Sequence, residues 1–380
     1  MRGLCLFDND RINRLPDDIL VAILSFLSPI EAERTSVLSS RWINLWKHTS
    51  SLKFDAYIGR AVDELQTAKS CPKWRGASLR YNEYTLLVDE VTQWLEYASA
   101  KKVPILELNF SPKFDESLSY PGLTCAFPHE FLARSISVDF KPLKALTLEY
   151  IDVDGGAIEF FLRNCPLLEE LIVHESKELS IVEVCGSSLV LKRLEICYCR
   201  NLKLVRVSAP NLVSLTVQSL EELLIENVPM LVELSLPWGF GEISGENLCN
   251  AISCCNLQLE VLNLSVLKNP EEGIEFYEFP EMPRLKKLVV GYRDLTQQSV
   301  DLLPYFIRAA PCIHEFVLKL HSPSISTLKS SMNTRFHQEQ LKVVKFCGYR
   351  AREIHVLLAR SRSREQLGAE IPQRVELVIL

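Results

Sequence analysis

Hydrophobic residues recur along most of the chain in the pattern apolar-x-x-apolar-x-apolar, where x is any residue. Ten copies lie between residues 105 and 346. They are Ile105-Leu108-Phe110, Leu143-Leu146-Leu148, Leu168-Leu171-Val173, Leu191-Leu194-Ile196, Leu212-Leu215-Val217, Leu231-Leu234-Leu236, Leu259-Leu262-Leu264, Leu285-Leu288-Val290, Ile313-Phe316-Leu318 and Leu341-Val344-Phe346. Successive copies begin 38, 25, 23, 21, 19, 28, 26, 28 and 28 residues apart. The pattern therefore predicts an array of short, similar units.

Each copy is typical of a strand with one buried face. The last two apolar residues stand two positions apart and so lie on the same side of a strand, while the x positions are mostly polar or charged. One unit leaves an apolar edge that only a neighbouring unit can cover, so the units are predicted to stack into a curved α/β solenoid with a parallel sheet on its concave side. Most of the intervals fall within the roughly 20–29-residue period of leucine-rich repeats.

The segments between the strands differ in length along the array. Residues 155–164 and 298–309 have the apolar spacing of helices and are predicted to lie on the convex side. The units between residues 180 and 236 are too short for full helices. One further copy, Leu220-Leu223-Ile225, begins eight residues after Leu212 and leaves the register ambiguous at that point.

Residues 12–47 follow a different, helical pattern. Leu15-Pro16-Asp17-Asp18 predicts a helix with Pro16 in its first turn and two acidic residues where the helix dipole favours negative charge. Apolar residues then follow at helical spacing, and Ser28-Pro29 ends this helix. A second helix is predicted from about Ile30 to Leu38, and a third from about Ser39 to Trp46. So small a unit cannot bury all of its apolar surface, and we expect part of that surface to meet a partner or the following solenoid.

This N-terminal sequence closely resembles an F-box, in particular the F-box of plant proteins that join this module to leucine-rich repeats. The resemblance rests on the Leu-Pro start at Leu15 and on the block Val37-Leu38-Ser39-Ser40-Arg41-Trp42 at the separation that the motif requires. Two later phrases, around Asn164-Cys165-Pro166 and Ala209-Pro210-Asn211, are also typical of that family.

The resemblance implies that the module docks onto a Skp-type adaptor and, through it, onto a cullin scaffold. Ten residues match positions that serve this contact or the module's interior: Leu15, Pro16, Ile19, Leu20, Ile23, Val37, Leu38, Trp42, Leu45 and Trp46.

The C-terminal end resembles a shortened form of the FBD-type region that closes many of these proteins. The chain is thus expected to comprise an F-box over residues 10–50, a linker and N-terminal cap over 51–100, leucine-rich repeats over 101–340 and an FBD-like cap over 341–380. A cluster of five arginines in the last segment is interpreted as a solvated helix face, because no aromatic residues interleave with it. These arginines are Arg350, Arg352, Arg360, Arg362 and Arg364.

Composition narrows the function classes. The chain of 380 residues is 47% hydrophobic, contains 60 leucines and has a net charge of −6, which disfavours disorder and nucleic-acid binding driven by bulk positive charge. No stretch is long enough to span a membrane and no signal peptide is recognisable, so a location in the nucleus or cytoplasm is expected.

No catalytic, cofactor or metal motif is recognisable. The twelve cysteines include no Cys-x-x-Cys, and the close pairs Cys197-x-Cys199 and Cys254-Cys255 have no histidine at zinc-ligand spacing. The sequence therefore predicts a chain that is not an enzyme, with reduced thiols and without a metal or cofactor.

The combined features predict the substrate-recognition subunit of an SCF-type (Skp-cullin-F-box) ubiquitin ligase. A plant hormone receptor and an adaptor-bound protein without a role in degradation are the alternatives. An unknown target protein would bind the concave face, for which the candidates are Lys192, Arg193, Glu195, Glu233, Lys286, Lys287 and His314.

Overall fold

The computed structural model forms two compact units, Met1–Asp152 with Arg163–Leu168, and Val153–Leu162 with Glu169–Leu380. The structure describes residues 12–27, 29–42, 45–49, 51–55, 84–110, 124–133, 139–218, 220–237, 245–266, 279–292, 308–320, 341–348 and 376–379.

The first unit begins with the helical module. A 3-10 turn at Ile12–Arg14 precedes helix α1 (Asp17–Leu24), and helix α2 (Pro29–Arg34) continues into a 3-10 turn at Thr35–Val37. The first two predicted helices are thus present. Pro16 lies just before α1 rather than inside its first turn, which holds Asp17 and Asp18.

The third predicted helix, Ser39–Trp46, is wrong. The amide of Trp42 donates a hydrogen bond of 3.0 Å to the carbonyl of Ser39, which closes a turn, and a 3-10 turn follows at Leu45–His48. A helix of so few residues gains little from its own hydrogen bonds, and here the packing of Trp42 and Leu45 into the core decides the local backbone.

The core of this module is small and closed. Leu20 and Leu24 of α1 pack with Ala32 of α2, and Trp42 and Leu45 complete the cluster. All five side chains are buried. Each complete burial of a large apolar side chain stabilises the fold by roughly 1.5–3 kcal/mol, so the stability of the module depends on a few contacts.

The rest of the first unit contains the first strands of the repeat array. The elements are β1 (Ser51–Asp55), α3 (Tyr84–Lys101), β2 (Ile105–Asn109), β3 (Cys125–Ala126), α4 (His129–Ala133), β4 (Ala145–Glu149) and β5 (Ile151–Asp152). Parallel strands pair in the order β1-β2-β4, and β3 pairs with β5. Both β1 and the 18-residue helix α3 lie in the range expected to be linker and cap.

The first predicted repeat is out of register by two residues. Leu106 pairs with Leu146 and Leu108 with Leu148, so the first copy is Val103-Leu106-Leu108 rather than Ile105-Leu108-Phe110. Because a slip of two residues keeps every side chain on its own face of the strand, the apolar pattern alone does not distinguish the two registers. Phe110 is also buried, where it stacks on Trp94 of α3 at 5.2 Å between ring centroids.

The second unit contains a longer parallel sheet. Its strands are β6 (Glu170–His174), β8 (Arg193–Cys197), β10 (Ser214–Val217), β12 (Glu233–Leu236), β13 (Val261–Val266), β14 (Lys287–Tyr292), β15 (Glu315–Leu320), β16 (Val343–Gly348) and β17 (Glu376–Ile379). Each strand pairs with the next in this order.

The middle apolar residues of the repeats, most of them leucines, form one continuous row across this sheet. Leu171 is directly opposite Leu194, and the row continues through Leu215, Leu234, Leu262, Leu288, Phe316 and Val344. From Leu171 to Phe316 these side chains are at most 3% exposed. The register predicted for repeats three to ten is therefore confirmed.

A second layer faces the core from the other side. It comprises helix α5 (Gly155–Asn164), the parallel strands β7 (Ile181–Cys185), β9 (Leu204–Ser208) and β11 (Glu222–Glu226), and helix α6 (Gly245–Ser253), which packs on β11. The ambiguous Leu220-Leu223-Ile225 copy is the strand β11, so it belongs to this second layer. Full helices were not expected between residues 180 and 236, and in the described part of this range strands β7, β9 and β11 form the second layer instead. Gly155 begins α5 where a Cβ atom would lie 2.7 Å from the carbonyl oxygen of Ile181.

These observations confirm the predicted fold class, a helical N-terminal module followed by an α/β repeat array with a parallel sheet. The helix predicted for 155–164 is present. Most of the other predicted helix, residues 298–307, and all five arginines of the C-terminal cluster lie outside the described residues. Among the described helices, none is both long and apolar enough to cross a membrane.

Candidate functional site

The N-terminal module carries a set of exposed apolar side chains, which we call the exposed apolar set: Ile12, Ile19, Ile23, Phe26, Val37 and Leu38. The most exposed are Val37 at 87%, Phe26 at 83% and Leu38 at 60%. The core beneath them is already filled by other residues. So many exposed apolar side chains on so small a module are typical of a protein–protein contact surface.

The residues that the resemblance assigns to the adaptor fall into two groups. Ile19, Ile23, Val37 and Leu38 are exposed, as is Pro16, and Leu15 is half-buried against the core.

Leu20, Trp42 and Leu45 lie inside the core. Their burial leaves these three side chains almost no surface for direct contact with a partner. The side chain of Trp46 lies outside the described part of the structure.

Two members of the exposed apolar set, Ile12 and Phe26, were missed in the sequence. Phe26 comes three residues after Ile23, which itself comes four residues after Ile19, so the three follow the spacing of one helical face at the end of α1. This spacing could have identified the exposed face. It did not do so because core residues such as Leu20 and Leu24 alternate with these positions, so the sequence alone does not show which apolar face is buried.

Arg41 fixes the start of α1. Its guanidinium group pairs with the carboxylate of Asp17 and donates a hydrogen bond of 2.6 Å to the carbonyl of Leu15. Arg41 thus links the residue before Pro16 to the first turn of α1, in addition to the backbone hydrogen bonds from Leu15 to Ile12 and from Leu20 to Pro16.

The second candidate surface is the polar face of the second unit's sheet, meaning the strand side chains that alternate with the buried row and the residue just before each strand. At its start, Lys192 Nζ lies 2.6 Å from the carboxylate of Glu169, and Arg193 lies 3.1 Å from that of Glu170. Arg193 also donates a 2.7 Å hydrogen bond to Glu195. Three of the predicted target-binding residues, Lys192, Arg193 and Glu195, are therefore brought together, and each is paired with a side chain of opposite charge.

A second group lies further along the polar face. Lys286 pairs with Glu260 at 2.8 Å, while Lys287 and Lys345 lie 3.6 and 2.8 Å from the carboxylate of Glu315. His314 is half-buried, and its backbone amide donates to the carbonyl of Lys286.

Glu233 lies between the two groups on β12 and is 3.3 Å from the hydroxyl of Ser214. The polar face thus presents charges of both signs in cross-strand pairs. Exposed pairs of this kind contribute roughly 0–1 kcal/mol each to stability, so they can be exchanged for contacts with a partner at low cost. The arrangement favours recognition by charge pattern.

Glu195 is the carboxylate on this face whose titration is most perturbed. A hydrogen bond from His174, with the neighbouring Arg193, lowers its pKa from 4.5 to about 2. His174 Nε2 and Glu195 Oε1 are 3.0 Å apart.

This shift predicts a pH dependence of stability. Because the pKa of Glu195 is lower in the folded chain than in the unfolded chain, its contribution is complete above pH 4.5 and is lost as the pH falls towards about 2. Thermal unfolding followed by circular dichroism should show a smaller loss of stability over this range in Glu195→Gln than in the unchanged protein. The exposed Glu183→Gln serves as the control, and equal declines in all three proteins would contradict the prediction.

The ten cysteines in the described residues are free thiols. Burial raises the pKa of Cys165 and of Cys255 to about 12, so both thiols stay protonated at neutral pH. They act as small apolar core residues.

Comparison with known protein families identifies both the N-terminal module and the repeat array. Residues 12–54 match the model of the F-box domain, and residues 79–359 match that of the "At1g61320/AtMIF1, LRR domain" family. The chain therefore belongs to the F-box proteins with leucine-rich repeats.

Its relatives include several Arabidopsis thaliana proteins. FBD-associated F-box protein At3g52670 is 30% identical over 79% of this chain and 78% of its own length. F-box/LRR-repeat protein At3g26922 is 30% identical over 60% of this chain and 82% of its own length. F-box/LRR-repeat protein At3g03360 is 32% identical over 47% of this chain and 41% of its own length.

Proposed function

We propose that this chain is the substrate-recognition subunit of an SCF-type ubiquitin ligase. Its F-box, residues 10–50, would bind a Skp-type adaptor and through it a cullin. The observation that carries the proposal is the exposed apolar set, since Phe26, Val37 and Leu38 lie in water although the core of their module is complete. A partner that covers them removes apolar surface from water, which is the main driving force of such contacts.

The target protein would bind the repeats, residues 101–340, with residues 51–100 and 341–380 covering the two ends of the array. On the polar face the proposed contacts are the two charged groups and Glu233 between them. The parallel register holds these charges in fixed rows, and stacked repeats offer extended surfaces for binding.

The mechanism is one of proximity, in the nucleus or cytoplasm. The chain breaks and forms no bonds. It holds target lysines near the ubiquitin-conjugating enzyme, which raises their effective concentration and removes the entropy cost of the encounter.

Proximity labelling with the full chain tests this function. With the proteasome inhibited, labelling should recover a Skp-type adaptor, a cullin and at least one protein whose abundance rises on inhibition. Recovery of the adaptor and cullin without any such protein would instead favour a role outside degradation. Absence of the adaptor would overturn the proposal.

A further inference from the structure

Three side chains that can bind a metal meet on adjacent strands of the second unit. His174 ends β6, and Glu195 and Cys197 belong to β8. Their ligand atoms, one from each residue, all lie within 4.8 Å of one another. The parallel register causes this meeting, because His174 is directly opposite Cys197. Glu195 stands two residues before Cys197, on the same face of the strand.

We propose that His174, Glu195 and Cys197 form a zinc site. Imidazole nitrogen, carboxylate oxygen and thiolate sulfur are the donors that Zn²⁺ uses in proteins, and three such ligands leave a fourth position of the tetrahedron for water or another ligand. Bonds of about 2.0–2.3 Å place neighbouring donors roughly 3.3–3.7 Å apart. The separation of at most 4.8 Å therefore needs a closure of about 1 Å, which side-chain rotation supplies.

The surrounding residues orient the ligands. Arg193 donates a 2.7 Å hydrogen bond to Glu195 Oε2, which leaves Oε1 towards His174. The ring of Tyr198 meets the imidazole edge to face, with 6.1 Å between centroids. Partners of this kind hold metal ligands in place in known sites.

Accessibility also fits an ion that enters from solvent. Cys197 is 3% exposed, whereas the side chains of His174 and Glu195 are 21% and 19% exposed. The sulfur would thus be the most deeply buried ligand, and the two more exposed ligands would lie on the solvent side of the site, on the polar face of the sheet.

Binding would exchange contacts that the protein already makes. Zn²⁺ takes the place of the His174–Glu195 hydrogen bond, and the Cys197 thiol loses its proton to solvent as the Zn–S bond forms. Spacing along the chain did not reveal the site because the histidine comes from the preceding repeat.

Cobalt serves as the probe, because Co²⁺ bound to a thiolate gives a sulfur-to-metal absorption band and tetrahedral Co²⁺ gives strong visible bands. The reduced full chain should bind Co²⁺ with both features, and Zn²⁺ should displace it. Absence of the thiolate band from the unchanged protein would overturn the proposal.

Cys197→Ser and Cys199→Ser form a matched pair, since both thiols are buried and only Cys197 belongs to the cluster. Cys197→Ser should remove the thiolate band. It should also weaken Zn²⁺ binding by roughly 100-fold or more, since even a change of a residue that only supports a metal ligand typically costs about 10–100-fold. Cys199→Ser should keep both the band and the Zn²⁺ affinity. The same band in Cys197→Ser would assign the metal to other cysteines and refute the site.

His174→Gln provides a second, independent variant, with His314→Gln as its control. Glutamine keeps a hydrogen-bond donor for Glu195 but lacks the imidazole ligand, so the fold measured by circular dichroism should stay unchanged. Its affinity for Zn²⁺ should fall by at least about tenfold, whereas equal affinities in the two histidine variants would contradict the proposal.

Discussion

Replacement of Val37 and Leu38 by aspartate should abolish binding of a Skp-type adaptor to the full chain and leave its thermal stability unchanged. Both side chains are more than half exposed, so the folded chain loses no core contact. Burial of each against a partner is worth roughly 1.5–3 kcal/mol. Their joint loss, with two charges added to an apolar contact, should weaken the affinity by at least about 100-fold.

Leu257→Asp is the control for this double variant, because Leu257 is a similarly exposed leucine outside the F-box. Affinity is measured by titrating the purified adaptor against each protein, and stability by thermal unfolding. An affinity that stays equal in the double variant and the control would show that the adaptor binds elsewhere.

Trp42→Ala should also abolish adaptor binding, by a different route. Trp42 is a core residue that packs with Leu20 and Leu24, and removal of a buried aromatic side chain costs roughly 3–5 kcal/mol. A module with so few core residues has little stability to lose. We therefore expect it to unfold locally while the repeats remain folded.

Hydrogen exchange separates the two routes. In Trp42→Ala the amides of α1 should lose their protection and those of β8 should keep it, whereas in the aspartate double variant both should stay protected. Trp42→Phe, which retains most of the apolar volume, should recover much of the protection and of the binding. Full protection of α1 in Trp42→Ala would contradict a core role for this residue.

Much of the fold was predictable because one requirement repeats. Each strand must bury two apolar residues against its neighbours, so the row from Leu171 to Val344 could be predicted from spacing alone. The error in strand register arose where that requirement is met in more than one way. At the first repeat, registers around Leu106 and Leu108 differ by two residues and bury the same face, and the pairing of β2 with its neighbouring strands selects between them.

The candidate sites were less predictable, since they depend on which residues become neighbours across strands. The family resemblance pointed to Val37 and Leu38 as contact residues, but it pointed to Trp42 as well. Only the structure shows that the first two are exposed and that Trp42 is buried. On the polar face the charges were visible in the sequence, while their partners were not. Glu195 contacts His174 because β6 and β8 pair in one particular register.

The exchange of helices for strands in the second layer has a mechanical consequence. Packed helices need about 8–10 Å between axes, whereas paired strands need only about 4.8 Å. Over β7, β9 and β11 both layers therefore advance by the same step per repeat, and neighbouring units stack without fanning apart. Hydrogen bonds link the units on both sides of the core. The paired strands hold Arg193 and Glu233 at a fixed separation, so a target bound there as proposed would have to carry groups at the matching distance.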